Sequence, residues 1–208
     1  MKHLRPLTAT ATLLVAVSTL TACGSSPAPA DAGGPPGTGA STSTTSPDAA
    51  RHNDGDTTFA QMMVIHHEGA IEMAQLAAES ATTAEVRELA ERIAAAQGPE
   101  IELMTSWLED WDEPAPEDAP MDAMDHGGMD MQGMDQQAVM SLLSGLSGTE
   151  FDRRFLELMI DHHRGAIEMA ETVRAEGENP DALRLAGSII DDQTAEITEM
   201  TNLVAGLR

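Results

Sequence analysis

The hydrophobic pattern of the chain predicts four long helices. Over residues 57–79, apolar side chains recur every three or four positions, as they do on one face of an α-helix. Residues 82–111, 149–176 and 179–208 show the same period, and a shorter helix is predicted near residues 136–146. No stretch alternates with a period of two, so we expect an all-α fold.

The predicted helix ends carry recognisable capping residues. Thr82-Thr83-Ala84-Glu85 has the spacing of a capping box, and Asn179-Pro180 pairs an N-cap residue with proline at the first helical position. Gly177 is expected to be the C-cap of the preceding helix. Pro99 lies inside the second helix and is expected to bend it.

Two of the four helices repeat the other two. Residues 59–108 match residues 155–204 without a gap at a constant offset of 96 positions, including His-His-x-Gly-Ala-Ile-Glu-Met-Ala. Such self-similarity indicates a duplicated helical hairpin. Two hairpins that bury their apolar faces together predict a ferritin-like four-helix bundle with a long crossover loop. We expect one domain over 56–208, with repeats at 56–111 and 149–208 around a methionine-rich segment at 112–135.

The N-terminal part of the chain resembles a bacterial lipoprotein leader. Lys2 and Arg5 precede an apolar stretch, and Leu20-Thr21-Ala22-Cys23 has the pattern of a lipobox. We predict a lipoprotein signal peptide over 1–22, lipidation of Cys23, and a disordered Ser/Thr/Pro/Gly tether over 23–55. The protein would then be extracytoplasmic and lipid-anchored to the bacterial cell membrane. The alternative is an ordinary secretory signal with a chance cysteine.

Net charge and cysteine content limit the kinds of molecule that this protein can bind and the ligands that it can offer to a metal ion. Without Lys2 and Arg5, nine arginines and no lysine oppose 35 acidic residues, a formal charge of −26. Such a surface repels nucleic acid and attracts cations. Cys23 is the only cysteine, so the folded part has no disulfide and no thiolate ligand.

Polar side chains interrupt the apolar face of each repeated helix at the same place. On a helical wheel, the adjacent histidines of the first helix lie on the same arc as Met63, facing the bundle interior or its edge. On the second helix, Gln97, Glu100 and Met104 form a stripe that can face the first helix. The repeated set is Met63, His66, His67, Gln97, Glu100 and Met104, and again Met159, His162, His163, Gln193, Glu196 and Met200.

This donor set favours a soft metal ion. Imidazole nitrogen binds copper, zinc, iron and nickel, whereas thioether sulfur selects Cu(I). We therefore expect copper, with Cu(I) favoured and other divalent metals as alternatives. The structural alternative is that the histidines are hydrogen-bonded core residues and the methionines fill gaps in the core. Within each pair, either histidine can ligate while the other packs or hydrogen-bonds.

The segment between the repeats is a second candidate site. It combines thioethers and one imidazole with Gly and Asp, a composition that cannot form a core. Its donors are Met121, Met124, His126, Met129, Met131 and Met134. Exposed thioethers favour a loop that collects Cu(I). The alternative is an acidic linker whose methionines are incidental or act as oxidation sinks.

The repeated motif resembles the family catalogued as domain of unknown function 305. The resemblance rests on Met-x-x-His-His-x-Gly-Ala-Ile-Glu-Met-Ala and the downstream Leu-Ala, Ile, Gln, Glu-Ile and Met of both copies. It implies a ferritin-like bundle in bacterial envelope or secreted proteins, some of them associated with copper binding, and no agreed enzymatic activity. The motif residues that it carries over are His66, His67, Met73, Gln97, Glu100 and Met104, with Met169 and the other matching residues of the second copy. The copies differ at Ile65 and Asp161 and at Glu68 and Arg164, so their charges are expected to differ.

We therefore expect a membrane-tethered protein that sequesters or delivers copper. Its partners would be the metal ion and the membrane, with a homo-oligomer or a copper-exchange protein also open and no nucleic acid. The alternative is a non-metal helical interaction or scaffold module of the envelope. We predict no enzymatic activity, because nucleophile, phosphate-loop and zinc-protease motifs are missing and no Glu-x-x-His ligand pair occurs.

Overall fold

The computed structural model describes residues 51–118 and 134–207. It contains five α-helices in chain order: α1 (Asp54–Ser80), α2 (Ala84–Trp111), α3 (Gln136–Ser144), α4 (Gly148–Glu176) and α5 (Pro180–Gly206). A short 3-10 turn covers Pro116–Asp118. The predicted all-α fold is confirmed. None of the helices within these ranges contains an apolar stretch that could span a bilayer.

Each long helix passes through two separate apolar cores. The first core contains the end of α1, the start of α2, the start of α4 and the end of α5, with Phe151 and Phe155 among its largest side chains. The second core contains the opposite halves of the same four helices, with Phe59 and Trp107 among its members. The first helices of the two hairpins are therefore antiparallel. In all four helices, the segment between the two cores carries buried or partly buried polar residues.

The hairpins are joined at their turns by two buried carboxylates. Asp152 on α4 accepts hydrogen bonds from the backbone N–H groups of Thr82 and Thr83, at 2.8 and 2.9 Å. The carboxylate of Asp56 on α1 accepts from Glu178 and Asn179 at the other hairpin's turn, at 2.9 and 3.0 Å. Both carboxylates are fully buried. Each hairpin therefore caps the turn of the other.

These contacts explain one difference from the sequence prediction. The capping box expected at the start of α2 does not form, since Thr83 makes no side-chain capping bond and Asp152 binds the turn instead. Gly177 is the C-cap of α4, as predicted, and its backbone is extended, with φ at −75°. Pro99 lies inside α2, as predicted. The predicted N-cap at Asn179 is confirmed, because its side chain accepts from Asp181 and Ala182.

Gly177 is required by lack of space, and this makes a testable prediction. A Cβ atom built there would lie 2.5 Å from Asp56 Oδ1 and 2.8 Å from both the Val173 side chain and its carbonyl. Gly177→Ala is therefore expected to lower the free energy of unfolding by about 1–3 kcal/mol, the usual cost of overpacking. Urea unfolding followed by circular dichroism measures the change.

Gly187 provides the matched control. It lies within α5, and a Cβ atom there would meet nothing within 4 Å. Because alanine is the better helix former, Gly187→Ala is expected to raise stability by up to about 1 kcal/mol. Equal effects of the two substitutions would show that crowding at the α4–α5 turn is not what keeps Gly177 small.

Candidate metal centre

A layer of buried polar side chains lies between the two cores, on the middle segments of the four long helices. It is formed by one adjacent histidine pair from each of α1 and α4 and by a Gln and a Glu from each of α2 and α5. Six of its eight side chains are buried, and the two glutamates are partly exposed. The members of this layer are His66, His67, Gln97, Glu100, His162, His163, Gln193 and Glu196.

The first histidine of each pair meets its counterpart from the other repeat. The rings of His66 and His162 face each other with their centroids 3.6 Å apart and an interplanar angle of 41°. Both rings are nearly inaccessible to solvent. The contact spans the two hairpins, so the layer combines donors of both repeats and does not consist of two separated clusters.

The second histidine of each pair is held by a carboxylate of its own hairpin. His67 Nε2 lies 2.7 Å from Glu100 Oε2, and His163 Nε2 lies 2.6 Å from Glu196 Oε2. A carboxylate accepts a proton, so these distances favour the tautomer that carries hydrogen on Nε2. The Nδ1 lone pair of each ring is then available as a ligand. A histidine fixed by a carboxylate in this way is typical of metal sites.

Several buried polar atoms of the layer have no hydrogen-bond partner among the residues that the structure describes. They include the Nδ1 atoms of His67, His162 and His163 and the Oε1 atoms of Gln97 and Gln193. Because buried polar atoms are normally hydrogen-bonded, each such atom needs an explanation. Ligation of a metal ion by these ring nitrogen atoms would be one such explanation.

The environment keeps His162 neutral. Burial, with smaller contributions from the neighbouring His66, His163 and His67, lowers the pKa of His162 well below the ordinary value for histidine. A neutral imidazole retains a lone pair that can bind a metal ion, whereas a protonated one does not. His162 can therefore offer a ring-nitrogen lone pair to a cation.

The predicted thioethers lie on both sides of the layer. Met63 and Met104 are fully buried in the second core, and Met73, Met159 and Met200 are fully buried in the first. Met169 is partly exposed and packs against the second core and against Met62. In sequence, Met63 and Met104 stand three and four residues from His66 and Glu100, and the second copy repeats this spacing.

Other charged residues near the histidine pairs lie on the surface, outside the polar layer. Arg164 and Asp161, which distinguish the second copy, form an ion pair at 2.7 Å on the outer surface of α4. Glu72 is exposed, and Gln136 of α3 donates to it.

Within the described ranges, no three His, Cys, Asp or Glu side chains are grouped closely enough to hold a metal ion together.

Most of the predicted loop site lies outside the described residues. This applies to Met121, Met124, His126, Met129 and Met131, and also to Cys23. Met134 is described, and it packs against the first core instead of belonging to an exposed loop. For this methionine the structure departs from the expectation that the segment has no packing role.

The sequence reasoning missed the two buried aspartates. Asp56 and Asp152 are separated by the same offset of 96 positions as the repeated motif. They stand just before the matched segments, where neighbouring residues differ between the copies. Extending the offset by three residues would have identified them as a repeated polar pair in an apolar face.

The chain belongs to the DUF305 family, a domain of unknown function. The sequence model of that family matches residues 56–204, which includes the whole polar layer. The fold and the repeated polar residues thus define a DUF305 domain, which is all-α and consists of a duplicated helical hairpin.

Solved structures of the family are similar along most of this chain. A DUF305 protein from Streptomyces coelicolor, inferred to be secreted, is 34% identical, with a TM-score of 0.62 over 77% of this chain and 94% of its own. A DUF305 fragment from Deinococcus radiodurans is 30% identical, with a TM-score of 0.65 over 74% of this chain and 98% of its own.

A third similar structure is CopM in its Cu(II)-bound form. It is 33% identical, with a TM-score of 0.61 over 74% of this chain and 97% of that chain. CopM is also known in Cu(I)-bound and silver-bound forms. No curated protein matches the chain by sequence with significance. The similarity to CopM connects this fold with copper and silver ions.

Proposed function

We propose that this protein binds copper outside the cytoplasm and sequesters it or passes it on, with Cu(I) as the favoured ion. The observation that carries the proposal is the pair of carboxylate-held imidazoles in the polar layer, His67 with Glu100 and His163 with Glu196. Their Nδ1 atoms are buried and have no hydrogen-bond partner among the described residues. The relation to CopM, a protein with copper-bound forms, supports the same conclusion.

In this proposal the carboxylates orient the second histidines and raise their basicity. Hydrogen bonding of Nε2–H to the glutamate fixes the ring and leaves Nδ1 as the donor atom. Thioethers of the set Met63, Met73, Met104, Met159, Met169 and Met200 would complete a nitrogen and sulfur environment. Such a mixture suits Cu(I), which prefers soft ligands, better than it suits Zn²⁺ or Mg²⁺.

The first histidines require a rearrangement before both can bind one ion. A bond between a metal and an imidazole nitrogen is about 2 Å long, so two rings that share an ion are separated by more than the 3.6 Å observed between His66 and His162. Copper binding by both rings would therefore move them apart. Ring-proton NMR signals of these two histidines would shift together on loading if both ligate.

The rest of the chain would bring copper to the layer. The acidic surface attracts cations, and the methionine-rich segment would be a weaker collector of Cu(I). Lipidation of Cys23 would hold the domain at the membrane surface. Mass spectrometry of the mature N-terminus tests the anchor, and an unmodified cysteine would exclude it.

A Cu(I) titration of the metal-free protein tests the proposal. Under anaerobic reducing conditions, the protein is expected to withdraw Cu(I) from a chromogenic chelator and to melt at a higher temperature when loaded. The reason is that a ligand that binds only the native state stabilises it by RT ln(1 + [L]/Kd). No competition with the chelator and no rise in melting temperature would contradict the proposal.

A scaffold module without metal is the second candidate. The observation that favours it is the same His67–Glu100 bond, because a carboxylate can hold a histidine simply as a core hydrogen-bond partner. In that case substitution of the layer histidines lowers the melting temperature equally with and without copper. Copper-dependent stabilisation that disappears in the variants distinguishes the two functions.

A further inference from the structure

The polar layer meets solvent mainly at its two glutamates. The six other side chains of the layer belong to residues that are at most 4% exposed, whereas the side chains of Glu100 and Glu196 are 23% and 22% exposed. Each glutamate also bonds to the second histidine of its own hairpin. A cation that comes from solvent would therefore meet one of these two carboxylates before it meets a buried nitrogen atom.

The two glutamates differ in the helix segments that carry them. In α2, the residues immediately before Glu100 are Gly98-Pro99. In α5, the matching residues before Glu196 are Thr194-Ala195. The exposure of the two carboxylates and their distances to histidine are nearly equal, so this backbone difference is what distinguishes the two approaches to the layer.

The Gly98-Pro99 pair weakens the backbone of α2. Proline has no N–H group, so residue 99 cannot donate to the Ala95 carbonyl, and the ring crowds the same helical turn. Glycine is the least favourable residue inside a helix after proline. Among the described helices, only α2 has a proline in its interior. The helical hydrogen bonds next to Glu100 are therefore expected to open more often than those next to Glu196.

Packing does not account for either residue of this pair. Pro99 is exposed, and a Cβ atom at Gly98 would meet nothing within 4 Å in the described part of the chain. At Gly69, by contrast, a Cβ atom would lie 3.0 Å from Gln136 Oε1. The weak point of α2 follows Gln97 directly and precedes Glu100, both of which belong to the polar layer. Its position indicates a function in access to that layer.

We propose that α2 is the gate of the polar layer, and that copper enters and leaves past Glu100 when the helix opens at Gly98-Pro99. The gate rests on the proposed function and gives the route of the ion to the same site. Opening of this turn would release Glu100 from His67 and expose the buried nitrogen atoms, while the carboxylate attracts the cation. The uninterrupted helix α5 would hold the other side of the layer closed.

Hydrogen exchange of the metal-free full chain measures the opening without copper. In an α-helix, the amides of residues 100–103 donate to the carbonyls of residues 96–99, so these bonds span the interruption. Their protection factors are expected to be at least about tenfold lower than those of residues 196–199, the matching segment of α5. Gly98→Ala together with Pro99→Ala is expected to remove most of this difference.

The rate of copper release measures passage through the gate. The full chain is loaded with one equivalent of Cu(I) and mixed with an excess of a chromogenic Cu(I) chelator, whose absorbance follows release. The Gly98→Ala, Pro99→Ala protein is expected to release Cu(I) from its tightest site at least about tenfold more slowly. Its equilibrium affinity is expected to change by less than about threefold, because a gate slows binding and release together and the ligands are unchanged.

Gly187→Ala is the matched control. It also replaces a glycine inside a helix at a position with open space, but it lies in α5, away from the interruption. It is expected to leave the release rate unchanged. Gly98→Ala alone keeps Pro99 and is expected to slow release by a smaller factor than the double substitution. Circular dichroism shows whether each protein is folded.

Three results would overturn the gate. They are equal protection of the two matching segments, an unchanged release rate in the folded double variant, and equal slowing by Gly187→Ala, which would attribute the effect to overall stability. Failure of the unmodified chain to bind Cu(I) would contradict the proposed function. Normal binding of Cu(I) with an unchanged release rate in the double variant would contradict the gate alone.

Discussion

Replacing His67 and His163 together with glutamine is expected to weaken Cu(I) binding by the bundle on the order of 100-fold or more. These two rings are held by Glu100 and Glu196 at 2.7 and 2.6 Å, so their unpaired Nδ1 atoms have fixed positions. Loss of a carboxylate that orients a ligand commonly costs 10–100-fold in metal affinity, and loss of the ligand itself costs more. Glutamine keeps a neutral polar side chain next to each glutamate and so limits damage to the fold.

Competition with a Cu(I) chelator measures the affinities. His52→Gln is the matched control, because His52 stacks on Trp111 at 4.5 Å and bonds to Glu113, away from the polar layer. It is expected to bind Cu(I) as the unmodified protein does. The Glu100→Gln and Glu196→Gln pair keeps all four imidazoles and is expected to lose 10–100-fold.

If the methionine-rich segment collects Cu(I) as proposed, it would set the affinity that remains in these variants. Circular dichroism of the metal-free proteins shows whether each variant is folded. A folded His67→Gln, His163→Gln protein that competes for Cu(I) as well as the unmodified protein would exclude these imidazoles as ligands.

Removing the two buried aspartates is expected to unfold the domain at ambient temperature. Asp56 accepts three backbone hydrogen bonds, from Asn53, Glu178 and Asn179, and Asp152 accepts two. A hydrogen bond to a charged group is worth about 1.5–3 kcal/mol, and donors that stay buried and unpaired add to the loss. We expect Asp152→Ala to cost about 3 kcal/mol and Asp56→Ala about 4 kcal/mol.

The two sites lie at opposite ends of the bundle, so their effects should add. The combined loss of about 7 kcal/mol is as large as the total stability of many domains. Urea unfolding followed by circular dichroism measures each variant. Asp191→Ala, at an exposed position on α5, is the control and is expected to change stability by no more than about 0.5 kcal/mol.

A small effect of either buried substitution would contradict the role assigned to these carboxylates. Asp56→Asn and Asp152→Asn separate charge from volume, because the amide has nearly the same shape as the carboxylate and its oxygen still accepts hydrogen bonds without a full negative charge. They are expected to fall between the alanine variants and the unmodified protein.

The helices and the pairing of hairpins could be predicted from the sequence because both depend on local or repeated patterns. Periodicity placed α1, α2, α4 and α5 within a few residues of their observed ends, and the duplication predicted that two equivalent hairpins pack together. The inward direction of the histidines followed from their position on the apolar arc. The short helix α3 was predicted, but not that its Val139 and Leu143 pack into the first core.

Features that depend on contacts between the hairpins could not be predicted. The capping box at Thr82 was wrong because Asp152, 70 positions away, binds the two backbone N–H groups at that turn. The pairing of His66 with His162 depends on how the two hairpins meet, which the repeat does not specify. The crowding at Gly177 likewise comes from Asp56, in the other hairpin.

The candidate site was predicted as a set of residues rather than as a geometry. The stripe of Gln97, Glu100 and Met104 was expected to face the first helix, and Glu100 does meet His67 there. Which histidine of each pair bonds to a carboxylate required coordinates, because His66 and His67 differ by one position and by about 100° around the helix. The ligand roles of these residues remain predictions.

X-ray absorption at the copper edge tests the central claim most directly, namely that the polar layer holds the ion. The full mature chain and a variant with His66, His67, His162 and His163 all replaced by glutamine are each loaded with one equivalent of Cu(I). The unmodified protein is expected to show nitrogen and sulfur neighbours, and the variant to lose the nitrogen contribution together with the tight binding. The same copper environment in both proteins would contradict the claim and would place copper outside the bundle histidines.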